Sequence, residues 1–136
     1  IGTAFLAFSV IALYFIKSKN KVSQHADYRI AIFEPAVHPA IEEIVRGFKE
    51  TITSANKKSY VFDEYNANGN STLLRAQADE IVQHDYDLVF TIGAQCSQSI
   101  HELTKKRQSR TPQVFSAVDD PIAIGIAQTT AVTGVK

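Results

Sequence analysis

Cysteine is nearly missing from this sequence: Cys96 is the single thiol in 136 residues, so no internal disulfide can form. An excess of charge of one sign is missing too. Fourteen basic residues face fourteen acidic ones, for a formal net charge of zero. Setting aside Lys17, Lys19 and Lys21 leaves eleven basic residues against the same fourteen acids, a mildly acidic body with nothing to attract a polyanion. Nucleic acid is therefore not an expected partner. The sequence has no Walker motif and no G-x-G-x-x-G run, and His25, His38, His84 and His101 lack metal-ligand spacing, so neither a cofactor nor a metal is expected. Heptads, low-complexity tracts and internal repeats are also absent.

What is present begins with an apolar run. Residues 1–16 carry no charge, are built from Ile, Leu, Phe, Val, Ala and Tyr, and are closed by Lys17 and Lys19. A segment apolar on every face that leads into a polar stretch reads as membrane-inserting rather than as a core helix. Its length falls between a signal-peptide core of about 7–15 residues and a spanning helix of about 20. No small-x-small cleavage site follows and no nearby cysteine could accept a lipid, so an uncleaved N-terminal helical anchor is the preferred reading over a cleaved signal. Lysines after the run would by themselves favour the cytoplasmic side. Charges that compete with them would precede Ile1, so that rule weighs little, and the body is expected to be extracytoplasmic. Residues 17–27 are polar and aperiodic, as suits a linker.

The body, residues 28–136, has room for one domain. Residues 28–33 (YRIAIF) form a short apolar run stopped by Glu34-Pro35, as expected for a buried strand. Ile41, Ile44, Val45, Phe48 and Ile52 then recur at helical spacing behind Pro39, with Glu42 and Glu43 near the positive end. The alternation continues with a strand over 60–65, a helix capped by Asn70 or Ser71 with Leu74, Ala78, Ile81 and Val82 on one face, and a strand over 88–92. A third helix carries Cys96, Ile100 and Leu103 on one side, a strand covers 113–118, and Asp119-Asp120-Pro121 opens a short apolar piece to Ala127 that could be helical. Strands alternating with helices predict an α/β fold, a parallel sheet with helices on both faces.

In such sheets ligands bind at the carboxyl ends of the strands. That selects four loops, 34–38, 66–70, 93–97 and 117–121, and the candidate ligand contacts Glu34, His38, Asn66, Gly69, Asn70, Gly93, Ala94, Gln95, Ser97 and Asp119. These loops are rich in hydrogen-bonding side chains, although Asn and Gly at 66–70 also suit a plain turn. Free N–H groups of the turn at Gly93 would attract a carboxylate, with Ser97 adding a hydroxyl and Gln95 an amide. A helix cap by Gln95 or Ser97 is the plainer use of the same residues. Cys96 does not sit in a nucleophile elbow, since Gly93 lies three residues before it and Gln98 stands where the second glycine belongs. No enzyme is expected. Lys105, Lys106, Arg107 and Arg110 gather at the third helix's end, where cations offset the dipole.

Several runs in order resemble the family of ABC-importer substrate-binding proteins that includes tryptophan- and tyrosine-type binders. They are Arg29-Ile30-Ala31-Ile32 with His38-Pro39-Ala40, Arg46-Gly47-Phe48-Lys49, Tyr65-Asn66-Ala67-Asn68-Gly69, Asp87-Leu88-Val89-Phe90, Val114-Phe115-Ser116-Ala117-Val118-Asp119-Asp120-Pro121 and Val132-Thr133-Gly134-Val135. The last two are the most specific. Gln95-Cys96 departs from the small Thr-Pro often found after the third strand. The resemblance implies a periplasmic-binding-protein type I fold, of which this chain covers most of the first lobe, with the second lobe missing. It also implies a non-enzymatic solute-binding component that takes a small carboxylate-bearing ligand such as an aromatic amino acid and meets ABC permease subunits, held at the membrane through the N-terminal segment. An extracytoplasmic sensing domain of a membrane signalling protein is the alternative that the same fold and anchor allow.

Overall fold

The computed structural model describes residues 26–127. The apolar segment 1–16, nearly all of the linker and the run from Val132 lie outside the described residues. Among the described residues no helix is long and apolar enough to cross a membrane.

The elements alternate as expected: β1 (Tyr28–Glu34), α1 (Pro39–Ala55), β2 (Tyr60–Asn66), α2 (Ser71–Gln83), β3 (Leu88–Ile92), α3 (Ala94–Arg107) and β4 (Gln113–Ser116). All pairings are parallel and the strand order is β2-β1-β3-β4, so the order reverses between β1 and β3. β1 pairs with β2 from Tyr28↔Tyr60 to Glu34↔Asn66 and with β3 from Ile30↔Leu88 to Phe33↔Thr91.

Side chains that alternate along β1 go to opposite layers, because the strand period is two. Ile30 and Ile32, with Phe90 and Ile92 of β3, meet the α1 layer of Val45, Ile41, Ile44, Phe48 and Ile52. Phe48 stacks on Phe90 with centroids 3.9 Å apart. Ala31 and Phe33, with Val89, meet Leu74, Ala78 and Ile81 of α2 and Cys96 and Ile100 of α3. Every helix therefore buries the face that its apolar spacing marked out. At the amino edge of the sheet Arg29 Nη2 pairs with Asp63 at 2.7 Å, and its amide donates to Asp87 Oδ2 at 2.7 Å, tying β1 to β2 and to the loop before β3.

Two local expectations change. The fourth strand stops at Ser116 rather than 118, because Ala117 takes left-handed backbone at φ 55° and cannot continue a ladder. The piece after Asp119 is a series of turns, not a helix. Asp120 Oδ1 accepts from the amides of Ile122 and Ala123, and Gly125 adopts φ 76°.

Phe33 is fully buried under α2 and α3. Phe33→Ala is expected to cost about 3–5 kcal/mol through lost transfer energy and an unfilled cavity, read as a lowered urea midpoint with an unchanged slope.

Candidate functional site

Parallel pairing brings the loops after β1, β2, β3 and β4 to one edge, and the reversal of strand order leaves a crevice there between β1 and β3. Glu34 ends β1 one residue beyond the Phe33↔Thr91 pair, and Gly93 follows β3 directly. The two loops are in near contact, since a Cβ on Gly93 would stand 3.7 Å from Pro35 Cγ. Gly93 also has φ 80°, a conformation that side chains disfavour.

The helices that start at this edge are capped differently. At α1 the His38 ring accepts through Nδ1 from the Ala40 amide at 3.1 Å. At α2 Asn70 Oδ1 accepts from Thr72 and Leu73 at 2.9 and 3.0 Å. At α3 Gly93 is the cap residue and no side chain bonds the first turn. The amides of Ala94, Gln95 and Cys96, orphaned as at any helix start, form the positive end of the helix dipole with no side-chain acceptor supplied, and of the three residues Ala94 and Gln95 are exposed.

Ser97 does not act as the sequence suggested. It is fully buried, its Oγ donates to the Gly93 carbonyl at 2.7 Å and lies 2.9 Å from Thr91 Oγ1, so the hydroxyl secures the turn from beneath instead of facing the crevice. Gln113 of β4 completes this cluster, donating through Nε2 to Thr91 Oγ1 at 3.1 Å and to the Ser97 carbonyl at 2.9 Å. Gly93 N–H is held by the Ser116 carbonyl at 2.9 Å.

On the α1 side, Glu34 floors an open groove of about 280 Å³ lined also by Glu42, Val45, Arg46, Lys49 and Glu64. Glu34 is 7% exposed, and Asn66 Nδ2 donates to its Oε2 at a long 3.3 Å. Burial above all, then the neighbouring Glu64 charge, pushes its carboxyl up from the ordinary value, against the lowering effects of Asn66 and Lys49.

Of the expected contacts, Glu34, Gly93, Ala94 and Gln95 come together at the switch point, with Ala94 and Gln95 exposed. Asn66 joins them through Glu34, while its Oδ1 accepts from Asn68 N–H. Gly69 N–H is bonded to the Pro35 carbonyl, Asn70 caps α2, and Asp119 is exposed beyond β4. Gln113 and Thr91 escaped the sequence reading, because their position inside strands gave no loop signal.

Cys96 is fully buried, and burial first, then the Glu34 charge, pushes its thiol up to about 12. It is a packed thiol at neutral pH, unsuited to nucleophilic attack. Among the described residues no group of three or more His, Cys, Asp or Glu could hold a metal ion.

Residues 29–136 match the family described as ABC transporter substrate binding protein. No curated protein matches the chain. Among solved structures it is similar to an ABC domain in complex with L-Trp from Streptococcus pneumoniae, at 23% identity and a TM-score of 0.64, covering 74% of this chain and 33% of that one. It is also similar to a conserved domain protein from Vibrio cholerae, at 22% identity and a TM-score of 0.66, covering 75% and 34%. A third likeness is to a ligand-free, open substrate binding protein with adhesive properties from Clostridium difficile, at 24% identity and a TM-score of 0.66, covering 75% and 34%. At these identities the likeness is one of fold, and this chain spans about a third of the length of each of those structures.

Because the Glu34 carboxyl lies above its ordinary value of 4.5 in the folded protein, its protonated form contributes stability that is complete below pH 4.5 and lost as pH rises through the folded value. Glu34→Gln should therefore be more stable than the native protein at pH 7, with the gain gone below pH 4.5, as read from urea unfolding across pH.

Proposed function

The chain belongs to the ABC transporter substrate-binding protein family, and from that premise we propose that it is the first lobe of an extracytoplasmic protein that binds a carboxylate-bearing solute such as an aromatic amino acid for an ABC importer. The observation that carries this reading is the uncapped start of α3 at the switch point, where the orphaned amides of the exposed Ala94 and Gln95 and a helix dipole meet the crevice. An anion bound there gains several charge-assisted hydrogen bonds and the favourable end of the dipole. The turn is already rigid. Ser97, Thr91 and Gln113 hold it from below, so little ordering remains to oppose binding.

The complex of a similarly folded protein with L-Trp supports an aromatic amino acid as ligand, and the family supports delivery to permease subunits. Gln95, exposed beside the free amides, is a side chain that would add an amide to the ligand's carboxylate, and His38, Asn66 and Asp119, at or after the ends of β1, β2 and β4, would contribute from the same edge of the sheet. The apolar segment 1–16 would hold the lobe at the outer face of the membrane.

The described lobe offers only one wall, whereas small-molecule sites commonly bury about 70–90% of their ligand. Calorimetric titration with L-tryptophan and the other common amino acids should give binding by the full-length protein and at least about a hundredfold weaker binding by residues 26–136 alone. Equal affinities would place the ligand wholly within this lobe, and no binding of any amino acid by the full-length protein would overturn the ligand class.

A further inference from the structure

Resting on the reading of segment 1–16 as the membrane anchor, we propose that the amino edge of the sheet is a lipid-facing surface, which lies on anionic headgroups and turns the crevice away from the bilayer. β1 starts at that edge, so the tether enters the lobe there. Residues 17–25 let Ala26 stand no more than about 35 Å from residue 16, even when fully extended. The carboxyl edge lies a helix length from the amino edge, about 25 Å for the 17 residues of α1. A leash of that reach does not by itself choose which surface meets the membrane. The distribution of charge does.

Helices that start at the carboxyl edge end at the amino edge, so the loops after α1 and α3 emerge beside the starts of β1 and β3. Tyr28 N–H donates to the Ser59 carbonyl at 3.1 Å, and Val89 N–H to the Pro112 carbonyl at 3.0 Å. The last turn of α3 and these two loops carry Lys57, Lys58, Lys105, Lys106 and Arg110, all exposed and none in an ion pair with another described residue. Lys105 and Lys106 also offset the α3 dipole, a role that Lys57, Lys58 and Arg110, outside any helix, do not have. The acids of this edge are mostly engaged: Asp63 pairs with Arg29 and Asp79 with Arg107, Asp27 accepts from Ser59 N–H at 2.8 Å, and Asp87 accepts from Arg29 N–H at 2.7 Å. Glu80 and Asp85 remain against those cations, and Lys17, Lys19 and Lys21 of the linker add to the positive side. At the opposite edge Glu42, Asp119 and Asp120 are exposed, so an anionic surface repels the crevice end and attracts the tethered end.

A second feature suits lipid. Tyr28 is 41% exposed and stacks on Tyr60, just after Lys57 and Lys58, with centroids 5.6 Å apart. Such amphipathic rings favour the level of the headgroups. The tether keeps a bilayer always within reach, and each cation near an anionic surface strengthens the contact by roughly fivefold.

The test uses the full-length protein in vesicles of phosphatidylcholine, with or without phosphatidylglycerol, that carry a nitroxide on some headgroups as a contact quencher. A dye is attached at the amino edge through Ser54→Cys or at the carboxyl edge through Val37→Cys, both exposed positions, while native Cys96 is fully buried and stays unlabelled. Anionic vesicles should quench the dye at 54 and spare the dye at 37. The quenching should vanish in about 1 M salt, where screening acts within about 3 Å, and in a folded variant that combines Lys57→Gln, Lys58→Gln, Lys105→Gln, Lys106→Gln and Arg110→Gln. Equal quenching of both dyes, equal quenching in net-neutral vesicles, or quenching undiminished by salt or by the variant would overturn the lipid-facing edge. Flotation with net-neutral vesicles in the same salt reads the anchor alone. Protein that floats there but leaves the dye at 54 unquenched on anionic vesicles keeps its anchor and loses the proposed surface, whereas protein that does not float lacks the anchor, and both readings fall.

Discussion

β1 is hydrogen-bonded along both edges, to β2 over its whole length and to β3 over its middle, while its side chains from Ile30 to Phe33 are buried on both faces. Everything else is arranged around that double burial. A strand enclosed on both faces demands a helix layer on each side, and parallel neighbours demand crossovers long enough to be those helices. With β2 on one edge and β3 on the other, α1 covers one face while α2 and α3 cover the other. The chain must reverse its direction of sheet growth at β1, and the reversal leaves the loops after β1 and β3 side by side with nothing passing between them. The crevice is thus a consequence of packing the central strand.

The turn at Gly93 sits on a small polar cluster inside an otherwise apolar layer. Thr91 and Ser97 are fully buried, and with Gln113 they exchange hydrogen bonds among themselves and with the carbonyls of Gly93 and Ser97. Such a cluster is tolerable only when its polar groups are satisfied, and its geometry then has few alternatives. The cluster fixes carbonyls beneath the turn and leaves the first-turn amides of α3 without a side-chain acceptor above it. Rigidity below and unsatisfied donors above suit a surface that binds without rearranging.

Most of the fold was legible because the signals were periodic. Ile41, Val45, Phe48 and Ile52 could face one layer only as a helix, and the run Ile30 to Phe33, too short for a helix and stopped by Glu34-Pro35, suited a strand buried on both faces. The four loops followed from topology, and with them the position of Glu34, Gly93, Ala94 and Gln95 at the carboxyl edge of the sheet. What periodicity could not supply was direction within a turn of helix. Ser97 and Gln95 are two residues apart in the first turn of α3, yet one is sealed in the core and the other exposed, because the helix rolls Cys96, Ser97 and Ile100 inward. The ends of elements were hidden for a different reason. Val118 looked apolar enough to extend β4, but the left-handed backbone at Ala117 is a tertiary choice that an alanine does not advertise. The caps at His38 and Asn70 use residues that were also candidates for the crevice, and local hydrogen bonds claimed part of their capacity first.

Glu34 shows where the fold and the site diverge. Its backbone continues the ladder to Asn66 and its carbonyl accepts from Ala67 N–H at 2.9 Å, tasks any residue could perform. Packing on the α1 face is carried by Ile30 and Ile32, which precede it at the strand period, so an apolar side chain at 34 would extend the same layer at no electrostatic cost. The carboxylate instead sits where burial and the charge of Glu64 both oppose its ionisation, with a single long hydrogen bond in return. Glu34 is thus a residue that the packing of the α1 face does not require.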